Sequence, residues 1–384
     1  MYEKLKQYCK TAKQLEKIEA IIETGSMRLA AEKLNISYPA IYNAVTAVKV
    51  KAASHGFSDE AGWDYGVPDG FKLKGVSDMR TNHEGKPVWF KVDADKERQK
   101  QILEETINAM AQDVTRAEPV TCPKKTNSQL LTTYPVGDHH FGMLAHADLG
   151  GENYNIKRAE ALLCGAMDYL IDGSPDSDEA AILLLGDFLH YDNMLPTTKS
   201  GHILDADSRF PKVVRAAIRT IRYLVNAALK KHKNVRLIIE KGNHDESSTV
   251  ILQETFFLHY ENEPRVTVDR SPQNCHVFQF GNNLIGTHHG DKIKMDKLPL
   301  VIASDYPKIW GDTKYRTIMT GHIHHDIQRE FAGIMIESFG ILAPKDAYAS
   351  DGGYRAKQTM KAIYFHSEFG EIGRNIVNPA ILGI

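Results

Sequence analysis

Cysteine is scarce in this chain: Cys9, Cys122, Cys164 and Cys275 are the four in 384 residues, and no two have paired or metal-type spacing. That excludes a disulfide framework and a cysteine zinc ribbon, and it fits a reducing cytosol. Long apolar runs are missing as well, and the opening MYEKLKQYCKTAKQLEK lacks the apolar centre of a signal peptide. The expectation is a soluble cytoplasmic protein with no membrane partner. An excess of one charge is the third absence: 47 Lys+Arg stand against 49 Asp+Glu, a formal net charge of −2. No global basic surface advertises a nucleic-acid binder, so any such surface must be local. Neither repeats nor low-complexity tracts occur. With 42% hydrophobic and 25% charged residues the composition is that of a globular chain long enough for two or three domains.

The first helical pattern runs from Thr11, with Leu15, Ile18, Ile21 and Ile22 on one face, and Gly25 stops it. Ser26 can cap MRLAAEKL, whose Leu29, Ala30 and Leu34 are expected to face inward, and Ser37 can cap YPAIYNAVTAVKVKAA. Pro39 suits the first turn of that third helix, and Ile41, Val45 and Val48 make its apolar stripe. AAEKLNISYPAIYNAV resembles the helix-turn-helix of small DNA-binding modules. The outward residues Tyr38, Tyr42, Asn43, Thr46 and Lys49 are then the candidate DNA-contacting set. A three-helix packing or oligomerisation unit is the competing explanation.

A hairpin is expected next, from Phe71–Met79 through NHEGK to Pro87–Val92, followed by an amphipathic helix over Asp93–Val114 with Ile102, Leu103, Ile107, Met110 and Val114 on its apolar side. RAEPVTCPKKTNSQ reads as a linker. The expected divisions are a helix-turn-helix at 1–57, a hairpin-plus-helix module at 58–115, a linker at 116–129 and a larger domain at 130–384.

Beyond Leu130, strand-like runs end one after another in polar clusters, with the helical stretches IKRAEALLCGAMDYLI and FPKVVRAAIRTIRYLVNAALKK separating several of them. That is an α/β layered pattern, in which ligands gather beyond strand ends. The clusters are GDHHFG, GDFLHYDN, GNHD, THHGD and GHIHHD. A single histidine at a strand end is usually structural, but five such clusters after five strands are not explained that way. Mixed imidazole, carboxylate and amide donors suit borderline divalent metals.

In order and spacing these clusters resemble the calcineurin-like metallophosphoesterases, whose pattern runs D-x-H, G-D, G-N-H-D/E, H-G and G-H-x-H. The resemblance implies a four-layered sandwich of two mixed β-sheets flanked by helices, preceded here by the small helical and hairpin region. It implies one metal held by Asp138, His140, Asp187 and His324, and a second held by Asp187, Asn243, His289 and His322, with Asp187 bridging. Two ions about 3.5–4 Å apart activate a water for in-line attack on phosphorus. His244 would serve the leaving oxygen, and Asp245 would orient its imidazole. Mn²⁺ is the expected metal, with Fe, Zn, Mg or Ni as alternatives. Asp291 stands where many relatives have another histidine.

GDFLHYDN is similar to the Gly-Asp-Leu-Phe-His run of the DNA-repair nuclease branch, and the arrangement of modules looks like proteins of tailed bacteriophages and prophages. The expected function is therefore a metal-dependent DNA phosphodiesterase or nuclease brought to DNA by its N-terminal helices, in a bacterial or phage-infected cytoplasm. The alternative is a phosphatase or cyclic-nucleotide phosphodiesterase acting on a small molecule or phosphoprotein, its N-terminal module making a homo-oligomer.

Overall fold

The computed structural model describes residues 2–55, 116–193, 196, 204–345, 350, 353 and 355–383, with short backbone stretches between 57 and 94. The chain divides into two compact units, Met1–Glu105 and Thr106–Ile384.

In the first unit, helix α1 (Ala12–Thr24) begins where Thr11 accepts the Gln14 N–H, and it stops at Gly25, whose φ of 72° closes the last turn onto the Ile21 carbonyl. Ser26 caps α2 (Met27–Lys33), and α3 spans Tyr38–Ser54. Ser37 holds the N-cap position of α3 without a side-chain bond. Pro39 leaves that turn one N–H short, and the Ala40 N–H bonds the Ser37 carbonyl instead. Ile18, Ile21, Ala30, Ala31, Ile41 and Val45 make one core cluster. Leu29, expected inside, is 50% exposed. The face that packs is Met27, Ala30, Ala31 and Leu34, an i, i+3, i+4, i+7 set that turns position 29 outward.

The expected hairpin is present in the backbone pairing, Phe71–Gly75 against Lys91–Ala94 and Arg80–Thr81 against Pro87–Val88, both antiparallel. Its turn residues 82–86 lie outside the described residues, as do residues 95–114 of the helix expected over Asp93–Val114, whose first two residues, Asp93 and Ala94, instead pair with Lys72 and Phe71 in the strand Lys91–Ala94.

The second unit holds two mixed sheets. Sheet one contains β1 (Asn127–Val136), β2 (Ser177–Leu184), β3 (Asn234–Ile239), β4 (Val266–Val268), β10 (Met360–His366) and β11 (Gly370–Val377), in the order β4-β3-β2-β1-β10-β11. Sheet two contains β5 (His276–Phe280), β6 (Asn283–His288), β7 (Tyr315–Thr320), β8 (Ile327–Phe331) and β9 (Ile334–Ser338), in the order β5-β6-β7-β9-β8. The strands β1, β2, β3 and β4 are mutually parallel, as are β6, β7 and β9. Antiparallel neighbours finish both sheets.

Helices α4 (Ile156–Asp172), α5 (Phe210–Lys231) and α6 (Glu246–His259) follow β1, β2 and β3. Ile156, Ala159, Leu162, Leu163, Ala166, Met167 and Leu170 recur at helical spacing on α4 and are buried with one face of sheet one. On the far side, α7 (Leu298–Asp305) and α8 (Pro307–Asp312) pack on sheet two through Leu298, Ile302 and Ile309. Between the sheets lie Leu131, Leu183, Ile238, Ile285, Met319 and Phe365, contributed by both. The order helix, sheet, sheet, helix is the expected four-layered architecture. Lys361 on β10 also crosses the gap, donating to Glu337 on β9 (2.8 Å) and to Asp326 (2.9 Å).

Leu183 is fully buried in the intersheet layer. Leu183→Ala is expected to destabilise the second unit by about 2–5 kcal/mol, read as a lower urea midpoint of its unfolding transition.

Candidate metal centre

All five polar clusters stand at the C-terminal ends of parallel strands: residues 138–140 after β1, 187–193 after β2, 243–245 after β3, 288–291 at β6 and 322–325 after β7. Sheet one supplies three loops and sheet two supplies two. Backbone bonds sew the loops together, with the His140 N–H donating to the Asp187 carbonyl (3.0 Å) and the Gly321 N–H to the His289 carbonyl (2.9 Å).

Asp138 is fully buried, and both its oxygens accept the His322 N–H at 3.0 and 2.8 Å. Asp187 is 2% exposed, and its Oδ1 accepts the His244 N–H at 2.7 Å. Around these carboxylates the structure brings together every residue expected to hold metal. Donor atoms of Asp138, His140 and His324 lie within 4.8 Å of one another, and so do those of Asp187, His289 and His322. Asn243 Oδ1 lies 3.1 Å from His289 Nε2.

The donor chemistry suits a cation. His289 Nδ1 sits 2.8 Å from the Leu185 carbonyl, an acceptor, so that nitrogen carries the proton. Its Nε2 then faces Asn243 Oδ1 and, at 3.3 Å, Asp187 Oδ2, two further oxygens. These lone pairs need a positive charge between them, which either a proton on Nε2 or a metal ion in its place would supply. Burial alone would lower the His289 pKa, yet Asp187 and Asp138 push it up to about 10. His140 is driven the other way, well below its ordinary value, first by burial and then by His244, His190 and His324. A neutral imidazole is the form that ligates metal. For Asp138 burial raises the pKa, but the His324 hydrogen bond and the charges of His324 and His289 outweigh it and keep the carboxyl low.

Backbone conformation marks the same residues. Among the described residues, the non-glycine positions with positive φ are Asn35, His140, Asp187, His322 and His324. Four of the five belong to the expected ligand set. Each such conformation costs on the order of 1–3 kcal/mol and persists only where the surroundings enforce it.

The arrangement of GNHD departs from expectation at one residue. Asp245 was assigned to the His244 imidazole; instead its Oδ1 accepts the Gly242 N–H and its Oδ2 the Leu189 N–H, both at 3.0 Å. The carboxylate is turned inward, wholly buried, beneath two loops. Burial, followed by the nearby charge of Asp187, pushes its pKa up to about 7 against those two bonds. The His244 ring is held by the His190 carbonyl, 2.8 Å from Nδ1. Histidine 190 also joins the centre with its own ring, Nδ1 lying 3.2 Å from His140 Nδ1, and it forms a third close group with His140 and His244. The sequence signal for it was its place in GDFLHYDN. His139 points away, bonded to the Ala159 carbonyl and packed among Phe141, Tyr154 and Phe188.

The remaining candidates lie in the first unit. Tyr38 and Tyr42 are 49% and 52% exposed with rings stacked 6.4 Å apart, Asn43 and Thr46 are exposed, and Lys49 is half-buried.

A scan against protein-family models and a search of curated protein sequences return no match. Among solved structures the chain is similar to Vps29 from Entamoeba histolytica complexed with Zn²⁺, at 13% identity and a TM-score of 0.27, covering 64% of this chain and 98% of that one. It is also similar to a predicted phosphoesterase from Streptococcus pneumoniae TIGR4, at 11% identity and a TM-score of 0.28, covering 65% and 99%. Vacuolar Protein Sorting 29 from Cryptosporidium parvum matches at 13% identity and a TM-score of 0.31, covering 65% and 97%.

Two glycines are pressed against the carboxylates. A Cβ on Gly321 would lie 2.5 Å from Asp138 Oδ2, and one on Gly242 would collide with Asp187 Oδ1. Gly321→Ala is expected to weaken divalent-metal binding by about 10–100-fold in calorimetric titration while leaving helix content unchanged. Affinity equal to that of the unsubstituted chain would contradict the assignment of Asp138.

Proposed function

We propose that this protein is a two-metal phosphoesterase that hydrolyses phosphodiester bonds, with DNA as its substrate and Mn²⁺ as its metal. The observation carrying the metal centre is the left-handed backbone at His140, Asp187, His322 and His324, around two buried carboxylates. Asp138, His140, Asp187 and His324 would hold one ion, and Asp187, Asn243, His289 and His322 the other. When bound, the ions supply Lewis-acid stabilisation of the phosphoryl oxygens and lower the pKa of the attacking water.

The chain's own contribution at the leaving oxygen is His244. Its backbone N–H is committed to Asp187 and its Nδ1 to the His190 carbonyl, so Nε2, which lies 4.0 Å from Asp187 Oδ2 and beyond hydrogen-bond reach of it, is the nitrogen left for the substrate. A hydrogen bond or proton delivered from Nε2 to the departing oxygen lowers the barrier most for poor leaving groups. DNA as substrate is supported by the outward residues of the helical unit, where the stacked Tyr38–Tyr42 pair, Asn43 and Thr46 lie along α3. The alternative, a phosphatase or small-molecule phosphodiesterase with an oligomerising N-terminal unit, draws on exposed apolar groups of that unit, Leu29 at 50% and Val50 at 66%.

A Mn²⁺-supplemented panel of monoesters, cyclic nucleotides, and single-stranded, duplex and nicked DNA tests the proposal. Cleavage of DNA is the expected result; a monoesterase preference without retention of DNA in a gel-shift assay would favour the alternative. His244→Ala is expected to keep its metal and to lose roughly a hundredfold or more in rate on a diester with a poor leaving group. Asp187→Ala is expected to lose metal as well, measured by elemental analysis.

A further inference from the structure

The His244 ring takes its orientation from the His190 carbonyl, and that carbonyl belongs to a loop from a different strand, the one following β2. One of the anchors of this loop lies two residues further on. Asp192 Oδ2 accepts the Ser247 N–H at 2.7 Å, while Oδ1 accepts the Ser248 N–H at 2.7 Å and the Ser248 hydroxyl at 2.5 Å. Ser247 and Ser248 are in the first turn of α6, three and four residues after His244. Asp192 thus adds a clamp on the helix side of His244 to the two bonds that already join these segments, Leu189 N–H to Asp245 and His244 N–H to Asp187.

A helix start normally draws its cap from its own chain segment, and Asp245 occupies the N-cap position of α6. Its side chain makes no cap bond, because both oxygens are turned inward to Gly242 and Leu189. Asp192 takes over that role from across the site, and a carboxylate there is favoured by the helix dipole. The His190 and His244 rings are also stacked, 5.6 Å apart and 16° from parallel, so a slip between the two segments would rotate both.

We propose that Asp192 is a positioning residue: by clamping the loop of His190 onto the first turn of α6 it sets the direction of His244 Nε2 toward the leaving oxygen. This rests on the assignment of His244 to the leaving group. Misplacing a reacting group by about an ångström can cost a hundredfold in rate. A carboxylate that only stabilised the helix would leave no trace in the leaving-group dependence.

The experiment compares two diesters that differ only in the leaving group, methyl p-nitrophenyl phosphate and methyl phenyl phosphate, with the full-length protein and Mn²⁺. Asp192→Ala is expected to lose about tenfold to a hundredfold in kcat on the phenyl ester and less than about threefold on the nitrophenyl ester, with metal content unchanged. Asp192→Asn, which keeps one acceptor oxygen, is expected to recover part of the loss. In a His244→Ala background, Asp192→Ala is expected to cost nothing further, since both changes remove one interaction. Equal losses on the two esters, loss of metal, or a full additional loss in the His244→Ala background would overturn the positioning role. If His244→Ala itself slows both esters equally, the assignment of His244 fails first, and the role of Asp192 falls with it.

Discussion

Two carboxylates buried side by side are the constraint on which the second unit depends. An anion out of water is costly unless hydrogen bonds and opposite charge surround it. Asp138 and Asp187 meet the first need with backbone N–H groups, those of His322 and His244, and each of these bonds ties one strand-end loop to another. The second need is met only in part. Imidazoles crowd the site, yet burial and mutual repulsion hold His140 and His190 neutral, while His289 is pushed toward the charged form. The remaining negative charge is what bound metal would neutralise.

The two-sheet architecture follows from that constraint. One sheet could bring three parallel strand ends to a point, but the centre needs five loops, and packed sheets deliver them along a common edge. The intersheet layer of Leu183, Ile238, Ile285 and Met319 fixes the distance between the sheets. Lys361 fixes their alignment, because its bonds to Glu337 and Asp326 join β10, β9 and the segment just after His324. Asp326 in turn accepts the Gly340 N–H, and the Gly340 carbonyl would lie 2.6 Å from a Cβ on Gly137, the residue before Asp138. A slip between the sheets would therefore move Asp138 and His324 together.

Much of this can be read from residue order alone. A polar cluster after each apolar run is a local signal, so the strand ends followed from it, and the helices Ile156–Asp172 and Phe210–Lys231 from the periodic stretches between them, while the choice of ligand candidates that the structure brings together came from the resemblance in cluster order. Contacts between loops were not readable in the same way. Asp245 is adjacent to His244 in sequence, but successive residues in a tight turn point apart, and its carboxylate went to Gly242 and Leu189. The partner of the imidazole, the His190 carbonyl, lies 54 residues away in sequence and is a backbone atom with no side-chain signature. Leu29 failed for a geometric reason: small residues at 30 and 31 let the helices approach closely, and the packed face rotated toward them. The strands β5 and β8 to β11 end in no polar cluster of the expected kind, so nothing local distinguished them.

The left-handed residues separate two physical causes that look alike in a list of angles. Asn35, at φ 52°, follows α2 in the turn before α3, and asparagine tolerates that region because its short amide can bond locally. Asp187, at φ 48°, shares that tolerance, but His140, His322 and His324, at φ 51°, 72° and 57°, have no short side chain of that kind, and glycine at any of them would remove the strain. Glycine is in fact used next to Asp187 and His322, at Gly186 and Gly321, where bulk would strike His289 or Asp138. The chain thus spends its small residues on making room and keeps imidazole or carboxylate where the backbone is strained. That division fits a demand for the side chains themselves, which gather around the two buried carboxylates.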